Sequence, residues 1–428
     1  MRLLLVILAA IAWSGHAAIT QVTPCPLSQD TPLRSLNASF LAHPPVLGTA
    51  QDDRYDLLVA LDCWAKRADT VYWDCYRNES NADLWAYHIS RMQRVLDEVA
   101  AATVQKGTIR AWKMYSSGSI VKTSQGVFST DVVQGPWKDI TRYIGDPAAT
   151  AEGSCRDAGS LPESKGGVFT WKWPASMVDQ YAALVDVHFT SHRHGDHTDY
   201  TLVDTLMRKG KTVVVANDTK KIWTTCSEHT CTSGIGGPPI SWKNSTRLIA
   251  FPADTNIRVG PFEIRRLGGP TPAEPLRQGM HTAPNGTWLC GAKDPLMNVN
   301  LIRHYADPNE FTFMQNGDNR CASILPGLRR AVAAGWTPTL FHRIMSWSPA
   351  ALHDNLDHEV FKIVPGVKIY PGHEYEWGHK GGHPPRPWGL TYLASQYATH
   401  RKDGMVANGT FFVVTWGESV ECGAGTCG

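Results

Sequence analysis

The chain reads as an α/β protein of two mixed sheets packed face to face, with helices on the outside and a helical extension in front. Two observations predict the sandwich. Two β-rich runs, Thr108–Val133 and Ser245–Met314, are each followed by alternating strand and helix patterns. A third observation concerns chemistry. Several predicted strands stop on histidine or aspartate, where packing supplies no reason for them.

Residues 1–17, MRLLLVILAAIAWSGHA, carry basic Arg2, an apolar run from Leu3 to Trp13, and small Gly15 and Ala17. This pattern predicts a secretory signal peptide, too short for a comfortable membrane span. No later stretch is apolar enough to cross a bilayer, so a soluble secreted chain without stable membrane insertion is expected. Six Asn-X-Ser/Thr sites, at Asn37, Asn78, Asn217, Asn244, Asn285 and Asn408, agree with a glycoprotein. The ten cysteines are even in number and lack zinc-ribbon spacing, which favours disulfides. Short-range pairs are expected for Cys63 with Cys75, Cys226 with Cys231, and Cys422 with Cys427. A net charge of +2 without a long basic run excludes a nucleic-acid backbone as the main partner and leaves a small-molecule substrate. The sixteen tryptophans read mostly as core.

Residues 18–106 form the extension. Helices are expected at Asp53–Lys66 and, more clearly, Asn81–Thr103, where Leu84, Tyr87, His88, Met92, Val95, Leu96 and Val99 share a face. His88 on that stripe reads as a packed histidine. Residues 107–428 form the main domain. Strands at Thr108–Tyr115, Ser119–Thr123 and Val127–Val133 are separated by Ser/Gly turns. A loop insertion follows at Ala148–Trp173, then a short helix at Ala175–Tyr181 and a buried strand at Ala183–Thr190. Beyond the strand come helix Tyr200–Arg208, strand Lys211–Ala216, helix Asn217–Trp223, and strands Ser245–Phe251 and Asn256–Leu267. A long loop, Gly268–Pro295, leads to a hairpin of Asn298–His304 and Glu310–Met314. Helix Leu325–Ala334, strand Thr339–Ile344, helix Pro349–Ile363 and strand Val367–Tyr370 come next. A helix at Gly389–His400 and a last strand at Gly409–Thr415 complete the prediction.

The strand Ala183–Thr190 runs into HRHGDH, placing His192, His194, Asp196 and His197 within six residues, with Gly195 easing the turn. One histidine there is unremarkable. Three with an aspartate are ligand chemistry for Zn²⁺ or a similar ion. Asp318, in Asn316-Gly317-Asp318, and His373, in Pro371-Gly372-His373, stand at two later strand ends.

This order resembles the metallo-β-lactamase superfamily, whose His-X-His-X-Asp-His signature is similar to HRHGDH. The resemblance spans roughly Thr108–His400 and implies a four-layer αββα sandwich. It implies that Asp131 is a structural aspartate, and that His192, His194 and a third histidine hold a first metal. Asp196, also the candidate catalytic carboxylate, would hold a second with His197 and His373, while Asp318 bridges. A metal-bound hydroxide would attack the substrate. Two Zn²⁺ ions are implied, with Mn²⁺ or Fe also fitting.

The departure is the third histidine. The strand ending at Leu267 runs into Gly268-Gly269-Pro270 instead. Candidates are His229, His281 and His304. His304 sits in a hairpin strand near Asp318, at the wrong end, and His281 lies in the right interval on a loop long enough to fold back. If none ligates, one ion is held mainly through Asp196, His197, Asp318 and His373. Asp199 after the cluster is similar to the branch holding ascorbate-phosphate lactonase and N-acylphosphatidylethanolamine phospholipase D, implying lactone or phosphodiester hydrolysis. Gly372-His373-Glu374-Tyr375 resembles glyoxalase II, a thioesterase. A binding or structural glycoprotein on a degenerate scaffold is the reading from another class. Glu374, Glu376, His379, Lys380, His383 and Arg386 are candidate proton donors, though each alone reads as an ordinary solvated side chain, as do His342 and Tyr375.

Overall fold

The computed structural model describes residues 79–135, 173–192, 197–225, 244–268, 299–308, 311–317, 324–344, 354–372, 408–412, 414–423 and 426–427, with single residues 39, 42, 45, 54, 242, 400, 402, 404 and 405. Expectations for residues 1–17, for the helices at 53–66 and 389–400, and for the 148–173 loop fall outside them, apart from Arg54, Trp173 and His400.

Helix α1 (Glu79–Ala101) opens the described fold. Its apolar stripe, Met92, Val95, Leu96 and Val99, is buried. Strands β1 (Ile109–Lys113), β2 (Ser119–Thr123) and β3 (Val127–Thr130) form an antiparallel meander. Helix α2 (Ala175–Leu184) then leads into β4 (Val187–Phe189). The sequence predicts strand from Ala183; the structure gives Ala183 and Leu184 to the helix, and Asp186 accepts the Val127 N–H at 2.9 Å to start β3 beside β4. Helix α3 (Tyr200–Arg208), β5 (Thr212–Val214), α4 (Asn217–Thr225) and β6 (Leu248–Ile249) complete this half.

The second half starts with β7 (Asn256–Val259), β8 (Phe262–Arg266), β9 (Asn300–His304) and β10 (Phe313–Gln315). Helix α5 (Ile324–Ala333), β11 (Leu340–Ile344), α6 (Asp354–Ile363) and β12 (Lys368–Gly372) alternate after it. The C-terminal hairpin β13 (Ser419–Gly423) and β14 (Thr426–Cys427) returns to pair with β1. That hairpin is absent from the sequence reading, which ends the strands at Gly409–Thr415. Among the described residues there, Phe411 makes an isolated parallel bridge to Ile369. The Val420, Cys422 alternation is short and flanked by glycine, and its partner β1 is remote in sequence.

Among the described residues, one sheet runs β14-β13-β1-β2-β3-β4-β5-β6 and the other β12-β11-β10-β9-β8-β7. Both are mixed: each joins an antiparallel run to parallel strands, β3 to β6 and β10 to β12. Alternate residues face two cores. Phe128, Phe189, Phe262, Ile302, Phe313 and Leu340 meet between the sheets, with Phe128 5.1 Å from Phe262 and 5.5 Å from Phe313 by ring centroids. Outward residues such as Trp112, Val213, Met314 and Phe341 pack under the helices. This is the four-layer sandwich that the sequence predicts.

Helices α1, α2 and α3 lie side by side, and His88 of α1 is buried, as expected, against the Gln134 carbonyl at 2.8 Å. Trp112, Trp223, Trp242, Trp336 and Trp416 are fully buried, which accounts for them as core. Cys422 and Cys427 form the disulfide expected of them. The pairs expected for Cys63–Cys75 and Cys226–Cys231 lie outside the described residues. No described helix is long and apolar enough to cross a membrane.

Candidate metal centre

The site is built from one edge of the sandwich. β3, β4 and β5 run parallel, with Thr130, Phe189 and Val214 in one row. Asp131 follows Thr130 directly, and its φ of 47° turns the backbone out of the strand. That conformation is rare for a residue with a Cβ. Here the carboxylate's own bonds hold it. Asp131 Oδ1 accepts the Ser191 N–H at 2.7 Å, and Oδ2 accepts the Ser191 hydroxyl at 2.7 Å. The same Oδ2 takes His197 Nδ1 at 2.8 Å and Gln315 Nε2 at 2.6 Å. Burial pushes the Asp131 carboxyl up, against His197 and Ser191, which favour its charged form.

His192 and His197 stand beyond β4, both buried, with ring centroids 4.1 Å apart. Ser191 Oγ lies 3.0 Å from His192 Nδ1, and Ser117 Oγ lies 3.0 Å from His197 Nδ1. With Ser191 donating to Asp131, these contacts assign a proton to Nδ1 of both rings, so ligation by either runs through Nε2. The two described ends of HRHGDH are tied to each other and to α3. Thr198 donates to the His192 carbonyl at 2.8 Å. Asp199 is the N-cap of α3, accepting the Leu202 N–H at 3.1 Å, and receives the Gln134 amide at 3.0 Å. Asp199 is thus occupied in starting α3 and in holding Gln134.

The second sheet reaches the same edge. Gln315, His342 and Tyr370 lie in one row across β10, β11 and β12, which run parallel. Asp318 and His373 each stand three residues beyond that row in sequence, and Gln315 itself touches Asp131 across the sheets. Strand β8 is antiparallel to β9, so Arg266 pairs with Asn300 and Asn300 with Gln315. Leu267 and Val299, the two residues flanking 268–298, bond to each other at 2.9 Å beside this row.

Of the seven residues proposed from sequence as ligands, His192 and His197 are brought together. His194, Asp196, His281, Asp318 and His373 lie outside the described residues. His304 is at the other end of β9, opposite Phe262, with Nε2 2.8 Å from Thr123 Oγ1, so it stays away from this edge. Gly268 stands where the expected histidine would follow Leu267. A Cβ there would stand 2.0 Å from Asp254 Oδ2. Asp254 is itself held by Arg330 at 2.8 Å, so a side chain at position 268 would require this ion pair to shift.

Sequence reasoning missed Ser117, Ser191 and Gln315, and treated His342 as an ordinary polar residue. His342 is fully buried, with Nε2 3.4 Å from Ser119 Oγ. Gln315 carried a signal, since it ends the otherwise apolar run FTFM next to Asn316-Gly317-Asp318. Serines in a turn carry none.

No family model matches the chain, and no curated protein matches it. Solved structures do. The chain is similar to a possible metal-dependent hydrolase from Veillonella parvula DSM 2008, with 14% identity and a TM-score of 0.44 over 74% of this chain and 99% of that one. It is similar to isothiocyanate hydrolase from Delia radicum gut bacteria, with 12% identity and a TM-score of 0.44 over the same shares, 74% and 99%. It is also similar to the metallo-beta-lactamase fold protein YhfI from Bacillus subtilis, with 12% identity and a TM-score of 0.39 over 74% and 99%. At such identities and scores these likenesses say nothing of chemistry. The strand order and the two facing cores give the chain the two-sheet, four-layer organisation of the metallo-β-lactamase fold.

Proposed function

We propose that this chain is a metal-dependent hydrolase of a small-molecule ester, lactone or phosphodiester. The observation that carries the reading is the buried Asp131–His197 pair at the sheet edge. Histidines that ligate metals donate their second ring N–H to a carboxylate or similar acceptor, which fixes the tautomer and strengthens the ligating nitrogen. Asp131 does this for His197, and Ser191 for His192.

The donor chemistry fits a divalent ion. His192, His194 and His281 would hold one ion. Asp196, His197 and His373 would hold a second, and Asp318 would be shared. Zn²⁺ suits these ligands, and Mn²⁺ or Fe would fit. When bound, such ions polarise a substrate oxygen and acidify water. The chain's own part is to keep both imidazoles oriented through Nδ1, to hold Ser191 and His197 on Asp131 and the start of α3 on Asp199, and to join the two sheet edges through Gln315. His281 as third ligand is supported by its segment, which leaves the site edge at Leu267 and rejoins it at Val299. The lactone or phosphodiester preference rests on the sequence likeness around Asp199. Its structural duty as an N-cap adds nothing to that preference.

Secretion as a glycoprotein is part of the proposal. It is supported by residues 1–17, by the Cys422–Cys427 bridge, and by the exposure of Asn217, Asn244 and Asn408. The second reading, a binding glycoprotein on a degenerate scaffold, is favoured by one observation, the glycine that stands in place of a histidine after Leu267.

Metal content of the purified chain, before and after Asp196→Ala, tests the proposal together with chelator-sensitive hydrolysis of bis-(p-nitrophenyl) phosphate, generic esters and lactones. Bound metal that is lost in the variant, and activity lost in chelator and in His194→Ala, is the expected result. A chain that binds no metal, or activity indifferent to both, sinks it in favour of the second reading.

A further inference from the structure

The turn between β1 and β2, residues 114–118, reads from sequence as an ordinary Ser-Ser-Gly connection. Such connections normally run over the protein surface. Here Met114, Ser116 and Ser117 are fully buried, and Tyr115 nearly so. The turn lies at the edge that carries the candidate metal centre. Ser117 Oγ is 3.0 Å from His197 Nδ1, and a Cβ on Gly118 would stand 3.2 Å from the Asp131 carbonyl oxygen.

Two backbone bonds close the turn. Met114 donates to the Gly118 carbonyl at 2.9 Å, and Gly118 donates to the Tyr115 carbonyl at 3.0 Å. Neither involves the Ser116 carbonyl. Ser116 has a φ of 56°, a left-handed conformation that is costly for a residue with a Cβ. Lys113 supplies the support from below: its Nζ donates to the Ser116 carbonyl at 2.5 Å. Lysine is seldom fully buried without a partner, and Lys113 is fully buried. It follows Ile109 and Ala111 on the inward face of β1, where an apolar residue would simply continue the core. Its own backbone is fixed, donating to the Glu418 carbonyl and accepting from Gly417, both at 2.8 Å. A fixed root gives the side chain a fixed reach.

We propose that Lys113 is a positioning residue for His197 and acts through Ser117. By gripping the Ser116 carbonyl it sets the plane of the Ser116–Ser117 peptide, and that plane places Ser117 Oγ on the ring nitrogen that Asp131 also engages. The Nδ1–H goes chiefly to Asp131 Oδ2 at 2.8 Å, with Ser117 Oγ as a second acceptor. Two acceptors from different strands restrain the ring more than one does. The effect on metal binding rests on the hydrolase reading above; the link from Lys113 to His197 does not.

Two measurements on the full chain test it. In nitrogen-15 spectra of the histidine rings of metal-free protein, the His197 Nδ1 resonance should shift in Ser117→Ala, and in the same direction in Lys113→Met. A Lys113→Met spectrum identical to wild type overturns the proposal. Zn²⁺ affinity, read by competition with a chromophoric chelator, should fall about 10-fold in each variant, with the near-ultraviolet circular dichroism retained. The double variant should lose no more than the larger single loss, because both changes act through one contact. Losses that multiply, to about 100-fold, would mean that Lys113 acts independently of Ser117, and they overturn the proposal. Ser117→Ala removes one oxygen and leaves the backbone in place, so unchanged Zn²⁺ affinity in that variant overturns it even where Lys113→Met does not fold. Wild-type protein that takes up no Zn²⁺ sinks the hydrolase reading instead, and the ring spectra then still decide the link.

Discussion

Two buried histidines flank the end of one strand, His188 inside β4 and His197 just beyond it, and their surroundings are opposite. His188 turns away from the inter-sheet core toward α2, where Nδ1 lies 2.8 Å from Ser129 Oγ and 3.1 Å from Tyr181 Oη. Its neighbours are neutral hydroxyls, and burial holds its pKa down at about 3. His197 has the Asp131 carboxylate on Nδ1. One histidine is a polar peg that stays uncharged; the other is oriented and supported as a ligand would be. Residue type and burial alone do not separate them. The group on the second ring nitrogen does.

A third histidine sharpens the contrast. His400 Nε2 also meets a carboxylate, Asp357, at 3.1 Å, but Arg343 meets that carboxylate at 2.7 Å. Burial pushes the Asp357 carboxyl up, and Arg343 and His400 outweigh it, holding it at about 2. A carboxylate consumed by an arginine is a structural ion pair. Asp357→Ala should therefore have the largest effect on stability, about 3–5 kcal/mol, because it removes a buried carboxylate that Arg343 and His400 both meet. Denaturant titration measures it, and Zn²⁺ affinity of the folded variant should be unchanged. The depressed carboxyl contributes stability that is present above the unfolded carboxylate pKa and is lost as pH falls through about 2.

Asp131→Asn is expected to act on the other side of the comparison. It should lower Zn²⁺ affinity about 10–100-fold, whereas Ser129→Ala beside His188 should change it less than about twofold. Equal losses in the two variants, read by chelator competition, would erase the distinction drawn here.

The uncharged histidines set a pH dependence. Unfolded, His88 and His188 take up protons below about pH 6.5. Folded, burial keeps them neutral down to about 4 and about 3. The unfolded state binds more protons in that window, so stability is complete above pH 6.5 and falls as pH drops. Each histidine contributes about 1.4 kcal/mol per pH unit. Urea midpoints at pH 7 and pH 5 should show the fall, with a shallower one in His188→Phe. At pH 7 that variant should have the smallest effect, about 1 kcal/mol, since Ser129 and Tyr181 keep their 2.8 Å bond to each other. A midpoint that does not move between the two pH values would break the assignment of His188 as a neutral peg.

Much of the fold was legible because its strands alternate or run apolar and its turns carry glycine and serine. The meander β1 to β3, the α3–β5–α4 run and the β8–β9–β10 order all follow from local pattern. Two errors have a common cause. Ala183 and Leu184 suit a strand or a helix end equally, and β13 is too short to declare itself without β1 beside it. In the site, His192 and His197 announced themselves by crowding. The serines and Gln315 did not, because a hydroxyl or amide acquires its meaning from what it faces.

The sequence by itself determined the order of strands and helices, the crowding of histidines after β4 and the glycine after Leu267, because each depends on near neighbours along the chain. Only the tertiary structure decided that Asp131 would bind Ser191, His197 and Gln315 at once, that Asp199 would serve as a cap, and that Asp254 would fill the space at Gly268. Those outcomes depend on which strands lie side by side and on two sheets meeting in register, and no local pattern of residues carries that distance information.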